Sequence, residues 1–149
     1  MTTSAALSRQ GHRLLQVGVA LLVFTSFEGV AIPYFTVPRL GLSAHSLSAF
    51  LGALLLPVGL LWPRLNLGAT TSRIAFWFLV YSALAIVAAY VMAGIWGAGN
   101  STMPLAAGAA RGSVFQEAAI KVVAYSSAPT GIIAFALMLW GLRIEAVKP

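Results

Sequence analysis

The chain has 149 residues, 60% of them hydrophobic and 8% charged, with a mean hydropathy of +0.92 and a formal net charge of +6. That balance excludes an ordinary soluble domain, and the absence of cysteine excludes disulfides, zinc–thiolate sites, iron–sulfur clusters and thioether-attached haem. The nine basic residues sit between apolar runs rather than on one face, which suits membrane topology and anionic headgroups and argues against nucleic acid as a partner.

A helix needs about 20 apolar residues to cross the hydrocarbon core, and four runs reach that length. They cover about 14–34, 43–62, 74–96 and 113–142, which predicts an all-α integral membrane protein: a single four-helix transmembrane domain over 1–149. The first run is too long for a cleavable signal and lacks a small-x-small site before Pro33, so it is expected to remain as a span. A short connection with Pro33, Pro38 and Arg39 leads to the second span, and "PRLNLGATTSR" reads as a tight polar loop to the third. "GAGNSTMPLAAGAARG", the longest connection, reads as a re-entrant or flexible segment before the fourth. Arg9, Arg13, Arg64, Arg73, Arg143 and Lys148 fall on the side of the termini, against Arg39 and Arg111 opposite, so both termini are expected in the cytoplasm. Trp62, Trp77, Trp96 and Trp140, near span ends, are expected to anchor the interface, and Pro57 and Pro129 to kink their spans. One bundle of this size has little interior, which favours a homo-oligomer.

An ionisable group in mid-span costs about 2.5–3.5 kcal/mol on insertion scales, so each one needs a reason. The candidates are Glu28, His45, Glu117 and Lys121. Counted at about 1.5 Å per residue along spans of alternating direction, all four fall in the outer half of the membrane, together with Tyr90. His12 starts the first span on the other side, about 30 Å from His45, so one protomer cannot hold a metal with both histidines. Structural roles compete at every position. Glu117 and Lys121 have the i,i+4 spacing of a helical ion pair, Glu28 can be solvated or bonded to a neighbouring helix, His45 can be interfacial, and Tyr90 can belong to the aromatic belt. Read from these residues alone, the chain is a small polytopic membrane protein with a polar cluster in one leaflet.

"VPRLGLSAH" at Val37 to His45 adds to this, in company with "GH" at Gly11 and His12, "LLWPRLNL" at Leu60 to Leu67 and "WGAG" at Trp96 to Gly99. "QEAAIKV" at Gln116 to Val122, "YSSAPT" at Tyr125 to Thr130 and "LWGLR" at Leu139 to Arg143 complete the series. In this order they resemble the hydroxylaminobenzene mutase family, which is similar to the styrene oxide isomerases. The resemblance implies a four-helix bacterial protein of the cytoplasmic (inner) membrane that carries ferric haem b, held non-covalently between the protomers of a trimer. It implies His45 as the axial iron ligand and Tyr90 as the active-site tyrosine; Arg39, at the interface, has the bidentate guanidinium suited to a haem propionate. The substrate would be a lipophilic aromatic taken from the membrane lipid and rearranged without a second substrate: hydroxylaminobenzene to 2-aminophenol, or in the alternative an epoxide to an aldehyde. The related isomerases carry asparagines six residues after the histidine and four before the tyrosine, and an acid earlier in the third helix, where this chain has Leu51, Ile86 and Ser82. Either Ser48, Ser82 or Tyr90 holds the substrate instead, or the reaction differs, or the site is inactive. The competing class is a non-catalytic membrane subunit or adaptor whose polar cluster holds an oligomer together.

Overall fold

The computed structural model describes residues 3–143; Lys148, one of the charges in the topology argument, lies outside them. Five helices follow in chain order: α1 (Thr3–Ala31), α2 (Pro38–Leu61), α3 (Ala69–Trp96), the one-turn α4 (Pro104–Ala107) and α5 (Val114–Gly141). Short 3-10 turns at Ile32–Tyr34 and Trp62–Arg64 close α1 and α2, and no strand occurs among the described residues. All but α4 are long and apolar enough to cross a membrane. The helices form because lipid offers a backbone amide no partner, so each segment must satisfy its own.

Local chemistry sets the ends. Pro38 occupies the first turn of α2 after extended Val37, where its missing N–H costs nothing. Gly97 ends α3 with φ 64, and a Cβ there would lie 2.6 Å from Thr36 Cγ2, so glycine is required twice over. Ser113 opens α5 with a capping box: its hydroxyl accepts from the Gln116 amide at 3.3 Å, and Gln116 Oε1 accepts from the Ser113 amide at 2.8 Å.

The spans pack as two antiparallel hairpins, α1 on α2 and α3 on α5, joined where α2 meets α3. Lipid tails remove any hydrophobic drive between helices, so close approach depends on small residues. A Cβ on Gly11 would lie 2.6 Å from the Gly59 carbonyl, and one on Gly18 2.9 Å from the Gly52 carbonyl, which puts the α1 and α2 backbones almost in contact. In the second hairpin Ser82 Oγ donates to the Ser127 carbonyl at 2.8 Å, and a Cβ on Gly131 would lie 2.7 Å from that hydroxyl. Hydrogen bonds from Val37 N to Gly94 O (3.1 Å) and from Thr36 Oγ1 to Ile95 O (2.7 Å) pin the start of α2 to the end of α3.

Three expectations need correction. Trp62 is not an interfacial anchor: it is fully buried, edge-on to Phe76, with Nε1 donating to Gln10 Oε1 at 3.0 Å. The indole finds its polar partner inside the hairpin, so it has no need of the headgroups. Glu117 and Lys121 form no ion pair. Glu117 instead accepts four hydrogen bonds from the α3–α5 connection: Gly99 N at 2.8 Å and Gly112 N at 3.1 Å on Oε1, Ser101 N at 3.2 Å and Ser101 Oγ at 2.6 Å on Oε2. Lys121 lies over the Tyr125 ring at 5.8 Å. The connection expected as a loose or re-entrant segment is therefore a loop clasped by one carboxylate and braced by α4, with Met103 and Ala107 buried beneath it.

A candidate active site around His45

His45 lies in the second turn of α2, half-buried against α1. Its Nδ1 is 3.1 Å from the Thr25 carbonyl. Beside it, Ser48 is completely buried, with Oγ 2.8 Å from Thr25 Oγ1, 3.0 Å from the His45 carbonyl and 3.1 Å from Glu28 Oε2. Thr25 Oγ1 donates to the Leu21 carbonyl at 2.8 Å. Glu28 is 5% exposed, and its second oxygen, Oε1, has no hydrogen-bond partner. The cluster forms because Thr25 and Glu28 are three apart on one face of α1 while His45 and Ser48 are three apart on the facing side of α2.

Sequence reasoning missed Thr25; of its two structural readings of Glu28, the bond to a neighbouring helix is the one found, with Ser48 as the partner. The signal for Thr25 was present, since it stands seven residues after Gly18 and fourteen after Gly11, on the face that meets α2.

Tyr90 lies elsewhere. It lines a groove of about 430 Å³ with Ser43, Ser46, Leu47, Phe50 and Ile86. At about 100° per residue, the four α2 residues of that groove sit about 100–200° around the helix from His45. Within one protomer the imidazole therefore faces α1, while the tyrosine lines the other side of α2. The remaining candidates are also apart. Ser82 has committed its proton to the α3–α5 seam, about 12 Å along α3 from Tyr90. Arg39 is exposed in the first turn of α2, about 9 Å before His45 along the axis. Ser48 alone accompanies His45. His12 sits on the outer face of α1, at the far end of the span.

Among the described residues no group of three histidine, cysteine, aspartate or glutamate side chains is placed to hold a bare metal ion. A lone imidazole with one ring nitrogen engaged by a carbonyl suits a metal that brings most of its own ligands, as a porphyrin iron does.

Four apolar helices long enough to cross a membrane, with a buried polar cluster beside a single histidine, define a multi-pass membrane protein. The styrene oxide isomerase family model matches residues 10–143, and the chain belongs to that family. Among curated relatives, hydroxylaminobenzene mutase HabB of Ectopseudomonas oleovorans is 42% identical over 142 residues, 95% of this chain and 85% of the relative. Hydroxylaminobenzene mutase HabA of the same organism is 31% identical over 129 residues, 87% of this chain and 96% of that one. No solved structure matches the chain. The protein is an intramolecular isomerase or mutase, which sets aside the reading as a non-catalytic subunit.

Proposed function

We propose that the protein uses ferric haem b, bound non-covalently through His45, to rearrange a lipophilic aromatic hydroxylamine in a bacterial inner membrane, hydroxylaminobenzene becoming 2-aminophenol. The observation that carries this reading is the 42% identity, over 95% of the chain, to a protein named for that reaction. In the rearrangement the N–O bond breaks, a C–O bond forms at the neighbouring ring carbon, and the hydrogen displaced from that carbon ends on nitrogen. Atoms and electrons balance within one molecule, so no second substrate is needed. When bound, the haem iron supplies a Lewis acid for the substrate's oxygen.

The chain's own residues supply the rest. Leu47, Phe50 and Ile86 make the groove apolar, which admits an aromatic from the lipid and keeps water from a cation-like reaction centre. The Tyr90 hydroxyl in that groove holds the migrating oxygen by a hydrogen bond, and its ring face favours developing positive charge. Arg39, exposed in the first turn of α2, would pair with a haem propionate. Because His45 and Tyr90 are on opposite sides of α2, the reading requires a second copy. The α1–α2 seam that holds His45 in one protomer would meet the Tyr90 groove of the next, in a trimer whose termini face the cytoplasm.

Epoxide isomerisation is the second reading, favoured by the name of the matching family. Detergent-purified protein is expected to show a haem absorption band that His45→Ala abolishes, and to turn over hydroxylaminobenzene faster than styrene oxide. A colourless parent protein, or a His45→Ala protein with an unchanged spectrum, refutes the haem assignment. Faster turnover of the epoxide selects the second reading.

A further inference from the structure

The seam between α1 and α2 repeats every seven residues. Gly11, Gly18 and Thr25 run along α1, and Gly59, Gly52 and His45 run in the opposite direction along α2. In the first two layers the helices nearly touch: each glycine's missing Cβ would lie 2.6–3.0 Å from the facing glycine's carbonyl oxygen. In the third layer the imidazole of His45 stands where the repeat calls for another glycine. The ring has room because residue 29, one turn beyond Thr25, is also glycine. A Cβ there would lie 3.0 Å from the ring's Cε1, 3.3 Å from Nδ1 and 3.9 Å from Nε2.

The Thr25 carbonyl settles what the ring does in that space. A carbonyl oxygen can only accept, so Nδ1, at 3.1 Å, must donate. A neutral imidazole carries one N–H, so Nε2 is left with its lone pair bare. We propose that Gly29 and the Thr25 carbonyl form a positioning cradle that holds His45 as the Nδ1–H tautomer and presents Nε2 as the ligating nitrogen. The use of that nitrogen rests on the haem reading; the tautomer and its dependence on Gly29 do not. Neither is a catalytic residue, because Gly29 and Thr25 act only through the ring of His45. A carbonyl on Nδ1–H also strengthens the donor character of Nε2, as partners of this kind do for metal-binding histidines generally.

The test is made on the haem-free full chain in detergent, carrying His12→Gln so that His45 is the one histidine, with the imidazole nitrogens labelled with ¹⁵N. The spectra are recorded in alkaline buffer. NMR is expected to show one species with Nδ1 protonated and Nε2 bare. Gly29→Ala, which must displace the ring by a few tenths of an ångström, is expected to shift both nitrogen resonances toward a mixture of tautomers. In haem-loaded ferrous protein the same substitution is expected to shift the iron–histidine stretching band. A protonated Nε2 in the His12→Gln protein overturns the proposal without any glycine variant having to fold. A Gly29→Ala spectrum identical to its parent's overturns it as well. The expected tautomer in a protein that takes up no haem sinks the haem reading and leaves the cradle standing. Haem lost on His45→Ala, with no response to Gly29→Ala, sinks the cradle and leaves the haem reading.

Discussion

Ser48 has one proton and three oxygen neighbours within 3.1 Å, on Thr25, Glu28 and its own helix, at a fully buried position. Ser48→Ala strips Glu28 Oε2 of its donor and takes away the hydroxyl that faces Thr25, so it is expected to cost about 1–3 kcal/mol. The check is thermal unfolding in detergent beside Ser46→Ala, which loses only a hydrogen bond to its own helix and is expected to stay within about 0.5 kcal/mol. Ile86 lines the Tyr90 groove, and Ile86→Asn, which would offer a substrate oxygen a hydrogen bond there, is expected to raise epoxide turnover relative to hydroxylamine turnover by about tenfold, the effect of one hydrogen bond of about 1.4 kcal/mol. Paired initial rates on the two substrates measure that ratio. The histidine itself was legible in the sequence through the motif that ends on it and through its depth. Its partner Thr25 was missed although its seven-residue spacing from Gly18 marks the face, because a threonine in mid-span is unremarkable until a facing helix supplies a ring for its carbonyl.

Among the elements, the α3–α5 connection has the most to lose from one substitution. Glu117 gathers four hydrogen bonds from Gly99, Ser101 and Gly112, and in Glu117→Ala all four donors lose their acceptor. Amide exchange at Gly99, Ser101 and Gly112 is expected to speed up by at least about tenfold, with protease cleavage appearing between Asn100 and Arg111, while exchange in the centre of α3 stays unchanged. The α1–α2 seam fails differently. Gly52→Leu drives a side chain at the Gly18 carbonyl, which already lies 3.0 Å from a Cβ position, and overpacking of this kind costs about 1–3 kcal/mol, read as a lowered unfolding temperature. The four crossings were plain in the sequence because hydropathy and length decide them locally. The clasp was hidden, because Glu117 and Lys121 satisfy the i,i+4 rule equally well, and only the loop's folded path offers the carboxylate four better donors.

For the whole molecule, the division of His45 and Tyr90 between two sides of α2 makes a mixing experiment decisive. Oligomers assembled from equal amounts of His45→Ala and Tyr90→Phe protein are expected to regain activity that neither variant has alone, up to about a quarter of the parent's if each site joins two neighbouring copies at random. Activity assayed after co-expression and co-purification measures this, and no recovery overturns a site shared between His45 of one copy and Tyr90 of another. The sequence by itself determined that the protein is helical, crosses the membrane four times and belongs among small isomerases, because apolar run length, charge placement and short motifs are local properties. Only the tertiary structure decided that Trp62 is buried and that Glu117 holds a loop. It also seated the imidazole in a glycine seam facing α1, on the other side of its helix from Tyr90. Those outcomes depend on which backbones approach within a few ångströms of one another, and side-chain contacts across helices are settled by that approach rather than by the order of residues along any one of them.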